Sequence, residues 1–131
     1  MLQLFASSDK NVWYFSKHIG DVKVKLKQQA WALVFPSAKE GWGMTVTECA
    51  ACGTPAIVSG VSGLIDSVQN DKTGIILSSN PTPQEIAAAM IKIITDATLR
   101  KRLSKEAVAW ASKFSWDESY RQFEKIISHL P

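Results

Sequence analysis

The sequence predicts an α/β fold: a parallel sheet of about four strands flanked by helices, with a helical C-terminal segment. Three observations predict it. Short apolar runs at residues 32–35, 56–59 and 74–77 are rich in Val, Ile, Leu or Phe and are bounded by turn residues, as buried strands are. Helix-forming stretches separate the runs, which a parallel crossover requires. After Leu77 the periodicity is helical throughout.

Residues 1–10 carry little pattern and are expected to be an extension or remnant. Residues 11–16, Asn-Val-Trp-Tyr-Phe-Ser, read as a first strand from their aromatic and β-branched content. Gly20 and Asp21 form a turn or cap. Val22, Val24 and Leu26 then alternate with Lys23, Lys25 and Lys27, which is strand periodicity. Yet Lys, Leu, Gln and Ala favour a helix, and no breaker falls between Lys25 and Trp31. A strand at 11–16 parallel to one at 32–35 needs a crossover, so a helix is expected here.

Met44 to Cys52 holds helix formers until Gly53 and Pro55 stop it. Gly60 and Gly63 precede a short helix at 64–69, and residues 70–74 form a turn before the strand at 74–77. Thr82-Pro83-Gln84-Glu85 has an N-cap, a proline at the first helical position and a glutamate three residues after the cap. Ile86, Met90, Ile93 and Ile94 follow at helical spacing. Asp96 restarts a helix with Leu99, Leu103, Ala107, Trp110 and Phe114 inward. Ser115 and Glu118 make another capping box, opening a last helix striped with Tyr120, Phe123, Ile126, Ile127 and Leu130. Trp110, Trp116 and Phe123 are expected in the core. A complete doubly wound domain usually has six strands. With four, this one is expected to begin in its middle.

The 131 residues suffice for one domain with a core, and 46% hydrophobic with 21% charged residues is ordinary for a globular chain. A net charge of +3 suits a phosphate-bearing ligand or an anionic surface, but no Lys/Arg cluster is dense enough for nucleic acid. The apolar runs fall short of a bilayer span, and the first residues lack signal-peptide features, so a cytoplasmic location is expected. Cys49 and Cys52 are spaced C-x-x-C, but a zinc site needs a second pair of ligands. With Ala50 and Ala51 they read instead as a small-residue helix face that packs closely on a sheet. No Asp-x-Asp or His/carboxylate cluster suggests any other metal.

The candidate site is Glu40-Gly41-Trp42-Gly43-Met44-Thr45-Val46-Thr47-Glu48, at the carboxyl end of a strand, where open parallel sheets bind ligands. Glu40 either projects its carboxylate into a cleft or is a solvated loop residue beside Lys39. Gly41 and Gly43 let the backbone approach a ligand closely. The amides of Gly43, Met44 and Thr45 open the helix, where free N–H groups and the dipole favour phosphate. This is not a P-loop, because no Gly-Lys-Ser/Thr follows, nor G-x-G-x-x-G, because Val46 stands where a third glycine is needed. Glu48 either caps its own helix with Thr45 or binds vicinal ribose hydroxyls. Trp42 either lines the pocket or is a surface aromatic. Ser59, Gly60 and Gly63 lie at the next strand end and are candidates to border the site. Lys17 and His18 follow the first strand; His18 either touches the acceptor side or is a surface histidine, and His129, near the end of an amphipathic helix, reads as solvated.

Pro36-Ser37, the Glu40-to-Glu48 stretch, Gly53-Thr54-Pro55 and Gly74 together resemble the family-4 (group 1) glycosyltransferases. The E-x7-E motif with its Gly-rich turn is the most specific of these features. Gly63 followed by Asp66, and Phe114-Ser115-Trp116, resemble further family positions. The resemblance runs from about Val12 to Leu130 and implies residues 11–131 to be the C-terminal part of a GT-B donor-binding, Rossmann-like domain. It implies transfer of a hexosyl group, with retention, from a nucleotide diphosphate sugar to a sugar or lipid-linked acceptor, without a metal or other cofactor. Glu40 would bind the hexose as the catalytic carboxylate; Gly41, Trp42, Gly43, Met44 and Thr45 would surround the donor; Glu48 would hold the ribose. The family's acceptor domain and its diphosphate-neutralising Arg and Lys match no residues here, so the isolated chain is expected to be inactive. The full enzyme would contact a membrane peripherally. The competing expectation is a non-catalytic module that binds a nucleotide or a protein partner, or self-associates through its exposed sheet edge.

Overall fold

A computed structural model of the chain describes residues 4–6, 11–15 and 20–129. Lys17, His18 and Leu130 lie outside the described residues. The elements run β1 (Leu4–Ala6), β2 (Trp13–Phe15), α1 (Gly20–Gln29), β3 (Leu33–Phe35), α2 (Met44–Ala51), β4 (Ala56–Val58), α3 (Leu64–Ser67), β5 (Gly74–Ile76), α4 (Pro83–Thr95), α5 (Ala97–Ala111) and α6 (Trp116–Ile127).

β3, β4 and β5 form a parallel sheet with β4 in the middle. Val34 is opposite Ile57, and Ile57 is opposite Ile75. All three residues of β4 are buried, which explains its unbroken apolar run: a central parallel strand is covered on both faces. On one face Ala56 and Val58 pack with Val46 of α2 and with Leu64 and Val68 around α3. On the other, Ile57 and Ile75 pack with Ala89 and Ile93 of α4 and Leu103 of α5. Period-two alternation along short strands therefore supplies two cores.

The expected sheet of four parallel strands is corrected to three. The aromatic strand Trp13–Phe15 pairs antiparallel with Leu4–Ala6 in a separate two-stranded sheet. Residues 1–10 thus contain a strand that their weak pattern did not suggest. β propensity marks a segment as a strand without naming its partner, and a neighbour close in sequence needs less loop closure than a crossover to β3.

α1 is a helix, as the crossover argument requires, but it buries none of its residues. Thr54, itself buried, fastens its end, its hydroxyl donating to the carbonyl oxygens of Lys27 and Ala30. The small face of α2 meets a helix as well as the sheet: Ala50 packs with Ala107 and Ala111 of α5. Cys49 is buried and Cys52 half-buried, both as free thiols.

The C-terminal helices begin where the caps predict. The Thr82 hydroxyl accepts from the Glu85 amide, and the Glu85 carboxylate accepts from the Thr82 amide. Asp96 accepts from Leu99, and Ser115 accepts from Glu118. The expectation that Trp116 and Phe123 lie in the core is corrected: they are 89% and 61% exposed. Tyr120, Ile126 and Ile127 are exposed on the same helix. Amphipathic spacing shows that a face is apolar but not what covers it, and none of the described residues buries this one. No described helix is long and apolar enough to cross a membrane.

Candidate functional site

The β3–α2 connection leaves the carboxyl end of β3 at Pro36 and turns through Glu40, Gly41 and Trp42 into α2. The turn closes at Gly43, whose φ of 83° and ψ of 60° fall in the left-handed region. A side chain there would also collide with Leu64, since a β-carbon would lie 2.7 Å from its Cδ2. Glycine is therefore required on two counts, conformation and space. The neighbouring β4–α3 loop backs the turn at Gly63, at φ 84°, where a β-carbon would lie 2.5 Å from the Glu40 carbonyl oxygen.

α2 starts without a side-chain cap. The Val46 and Thr47 amides both turn back to the Gly43 carbonyl, at 2.8 and 3.3 Å. Thr45 lies inside the helix rather than at its cap, which removes the capping-box reading of Thr45 and Glu48. What remains at the helix start is a set of N–H groups with the positive end of the helix dipole, and Met44 beside them is 65% exposed. This arrangement can hold an anion.

Glu40 is half-buried, and its Oε1 accepts a 3.2 Å hydrogen bond from the Ser37 hydroxyl. Glu48 stands one turn after Met44 on the same side of α2. Its Oε2 takes ion pairs from two lysines of α1, Lys27 and, at 3.2 Å, Lys23. The Lys27 ammonium holds the Glu48 carboxyl below its ordinary value; partial burial opposes this, and Lys23 adds to it. Glu48 is therefore a carboxylate at neutral pH. Burial pushes the neighbouring Cys49 thiol up, against the pull of Lys27, so it is a poor nucleophile.

Trp42 is half-buried and held at both ends. Its indole N–H donates to the Thr47 hydroxyl at 2.9 Å, and its ring meets Phe114 edge-on, with centroids 5.1 Å apart. Of the residues at the next strand end, Gly63 borders the turn. Ser59 is fully buried, and Gly60 closes onto the chain after β5, its amide donating to Ser78 at 3.1 Å. Asp66 and His129 are exposed. Among the described residues no His, Cys, Asp and Glu group could hold a metal.

The structure thus gathers Glu40, Gly41, Trp42, Gly43, Met44 and Thr45 at one strand-to-helix turn, with Glu48 a helical turn further on. Sequence reasoning missed Lys23 and Lys27, which are i, i+4 on α1 and so share a face. It also missed Phe114 as a neighbour of Trp42, because it read that residue as inward-facing helix core and as part of a C-terminal family pattern, neither of which names a partner.

Residues 8–110 match the family model described as "Glycosyl transferases group 1". Among curated proteins, a D-inositol 3-phosphate glycosyltransferase of Corynebacterium jeikeium is 33% identical over 96 residues, covering 73% of this chain and 23% of the relative. An uncharacterised glycosyltransferase of Methanocaldococcus jannaschii is 32% identical, covering 75% of this chain and 28% of that one. The chain therefore spans about a quarter of the length of these relatives. Among solved structures, the Anabaena protein HepE in complex with UDP is similar with a TM-score of 0.75 at 22% identity, covering 81% of this chain and 29% of the other. Sucrose-phosphate synthase of Thermosynechococcus elongatus has a TM-score of 0.69 at 29% identity, covering 76% and 25%. The three-stranded parallel sheet, its flanking helices and the helical C-terminus are shared with these GT-B glycosyltransferase structures. On the family match over most of its length, the chain belongs to the group 1 glycosyl transferases.

Proposed function

We propose that the chain forms the donor-facing part of a retaining, family-4 type glycosyltransferase, which moves a hexosyl group from a nucleotide diphosphate sugar to a sugar or lipid-linked acceptor. The observation that carries this reading is the uncapped start of α2 directly behind the Glu40 turn, in a chain of this family. The Anabaena neighbour solved with UDP and with UDP-glucose supports the same ligand class.

In this reading the diphosphate lies at the α2 N-terminus, where the Gly43, Met44 and Thr45 amides face it. Glu40, steadied by Ser37, accepts from hexose hydroxyls and offsets positive charge developing at the anomeric carbon. A hydrogen bond to a charged group of this kind contributes roughly 1.5–3 kcal/mol. Glu48 accepts from the ribose hydroxyls through Oε1, while the lysines on Oε2 keep it ionised and in place. The acceptor attacks on the face from which the diphosphate leaves, giving retention without a protein nucleophile and without a metal. The full enzyme acts in the cytoplasm and contacts a membrane peripherally.

A second reading, a non-catalytic binding module, is favoured by one feature. β3 is an edge strand of the described sheet, and an apolar cleft lined by Trp31, Ala32, Val34, Met90, Ile93 and Ile94 lies beside it. That edge would take a further strand, from a partner or a second copy.

Calorimetric titration of the chain with nucleoside diphosphates and nucleotide sugars separates the two. The donor reading expects saturable binding that Glu48→Ala and Glu40→Ala each weaken. Binding unaffected by both variants, or self-association with no nucleotide binding, favours the module.

A further inference from the structure

Three aromatic rings form a chain between the α5–α6 corner and the Glu40 turn. Trp110 of α5 is fixed by its indole N–H, which donates to the Ser67 carbonyl at 3.0 Å. Phe114, in the corner between α5 and α6, meets Trp110 edge-on, with centroids 5.0 Å apart and rings inclined by 87°. Trp42 meets Phe114 edge-on at 5.1 Å and 73°, and its own indole N–H is bonded to Thr47 at 2.9 Å. Edge-to-face contacts at this separation are the favourable arrangement for aromatic pairs. The row is thus tied at one end to the C-terminus of α3 and at the other to the first turn of α2.

Trp42 stands between Gly41 and Gly43, so it carries the one side chain between Glu40 and Met44 by which the turn can be anchored. Whatever holds the Trp42 ring therefore restricts the turn that carries Glu40 and the first amides of α2. Thr47 holds the indole from within α2, while Phe114 meets the ring from outside the turn and its helix, in addition to the Gly63 backbone that packs on Glu40 and Gly41. Phe114 is 40% exposed, so the global fold does not depend on it as it does on a core residue.

We propose that Phe114 is a positioning residue: through Trp42 it sets the conformation of the Glu40–Gly43 turn, and so couples the α5–α6 corner to the donor site. The coupling to ligand rests on the donor-site reading above; the coupling to the turn does not.

The test uses the chain itself, labelled with 15N, as wild type, Phe114→Leu and Phe114→Tyr. The readouts are the Gly41 and Gly43 amide resonances, the Trp42 indole resonance and the Gly74 amide of β5 as a control outside the turn, with UDP-glucose as the probe ligand. The expected result is that Phe114→Leu shifts or broadens the Gly41, Gly43 and Trp42 signals, leaves Gly74 in place and weakens UDP-glucose roughly two- to tenfold. Phe114→Tyr, which keeps the ring, retains the wild-type pattern and affinity. Unchanged turn resonances in Phe114→Leu, or equal changes at Gly74, overturn the proposal. If wild type binds no UDP-glucose, the donor reading fails while the turn resonances still decide this one. If Phe114→Leu unfolds, Phe114→Met, which keeps volume without the ring, is read by the same criteria.

Discussion

Gly63 lies against the backbone of Glu40 so closely that a β-carbon would come within 2.5 Å of the Glu40 carbonyl oxygen. Two loops that follow adjacent strands, β3 and β4, thereby brace each other, and the candidate carboxylate sits on the brace. Backbone meets backbone at this point, so no side-chain rearrangement can relieve an intrusion.

Gly63→Ala is accordingly expected to destabilise the chain by about 1–3 kcal/mol through overpacking, with an added penalty for a side chain at φ 84°. Urea unfolding gives the stability, and amide shifts at Gly41 give the local displacement. An alanine variant with the wild-type midpoint and wild-type Gly41 shift contradicts the brace.

The Glu48 ion pairs give the chain a pH signature. The folded carboxyl is held below its ordinary value by Lys27 first, against desolvation, with Lys23 assisting. A depressed folded pKa stabilises above the unfolded carboxylate value of about 4.3, and that stability is lost as pH falls through the lowered value. The pair is partly exposed, so the effect is at most about 1 kcal/mol. Urea midpoints of wild type and Glu48→Gln should therefore differ at neutral pH and converge below the carboxylate range. A difference that persists undiminished in acid means that Glu48 stabilises by something other than its charge.

Thr54→Val tests how α1 is fastened. The variant keeps the shape of a buried side chain but leaves the Lys27 and Ala30 carbonyls without its hydroxyl. The expected cost is about 1–3 kcal/mol, with faster hydrogen exchange in α1 than in α4. Unchanged exchange in α1 would show that the hydroxyl is dispensable there.

Most of this fold is legible in the sequence because its signals are local. Apolar runs 32–35, 56–59 and 74–77 are strands since buried parallel strands must be apolar on both faces. Thr82, Asp96 and Ser115 start helices because their side chains reach amides three residues on. What was not legible is partner choice. Nothing in Trp13-Tyr14-Phe15 says that Leu4–Ala6 is its neighbour, and nothing in the α6 stripe says that Trp116 and Phe123 stay exposed. The site divides the same way. The Glu40–Thr45 turn is contiguous and could be read directly. The Lys27–Glu48 and Trp42–Phe114 contacts join residues 21 and 72 positions apart, and only the folded chain shows them.

Nuclear magnetic resonance mapping of UDP-glucose on the 15N-labelled chain tests the central claim most directly, that the β3–α2 turn and the start of α2 receive the donor. The account predicts saturable shifts concentrated at Gly41, Gly43, Met44 and Thr45, with smaller ones at Glu48 and Gly63. Shifts confined to the opposite strand ends, around Gly53, Arg100 and Ser104, or no saturable shift in a folded chain, would contradict it.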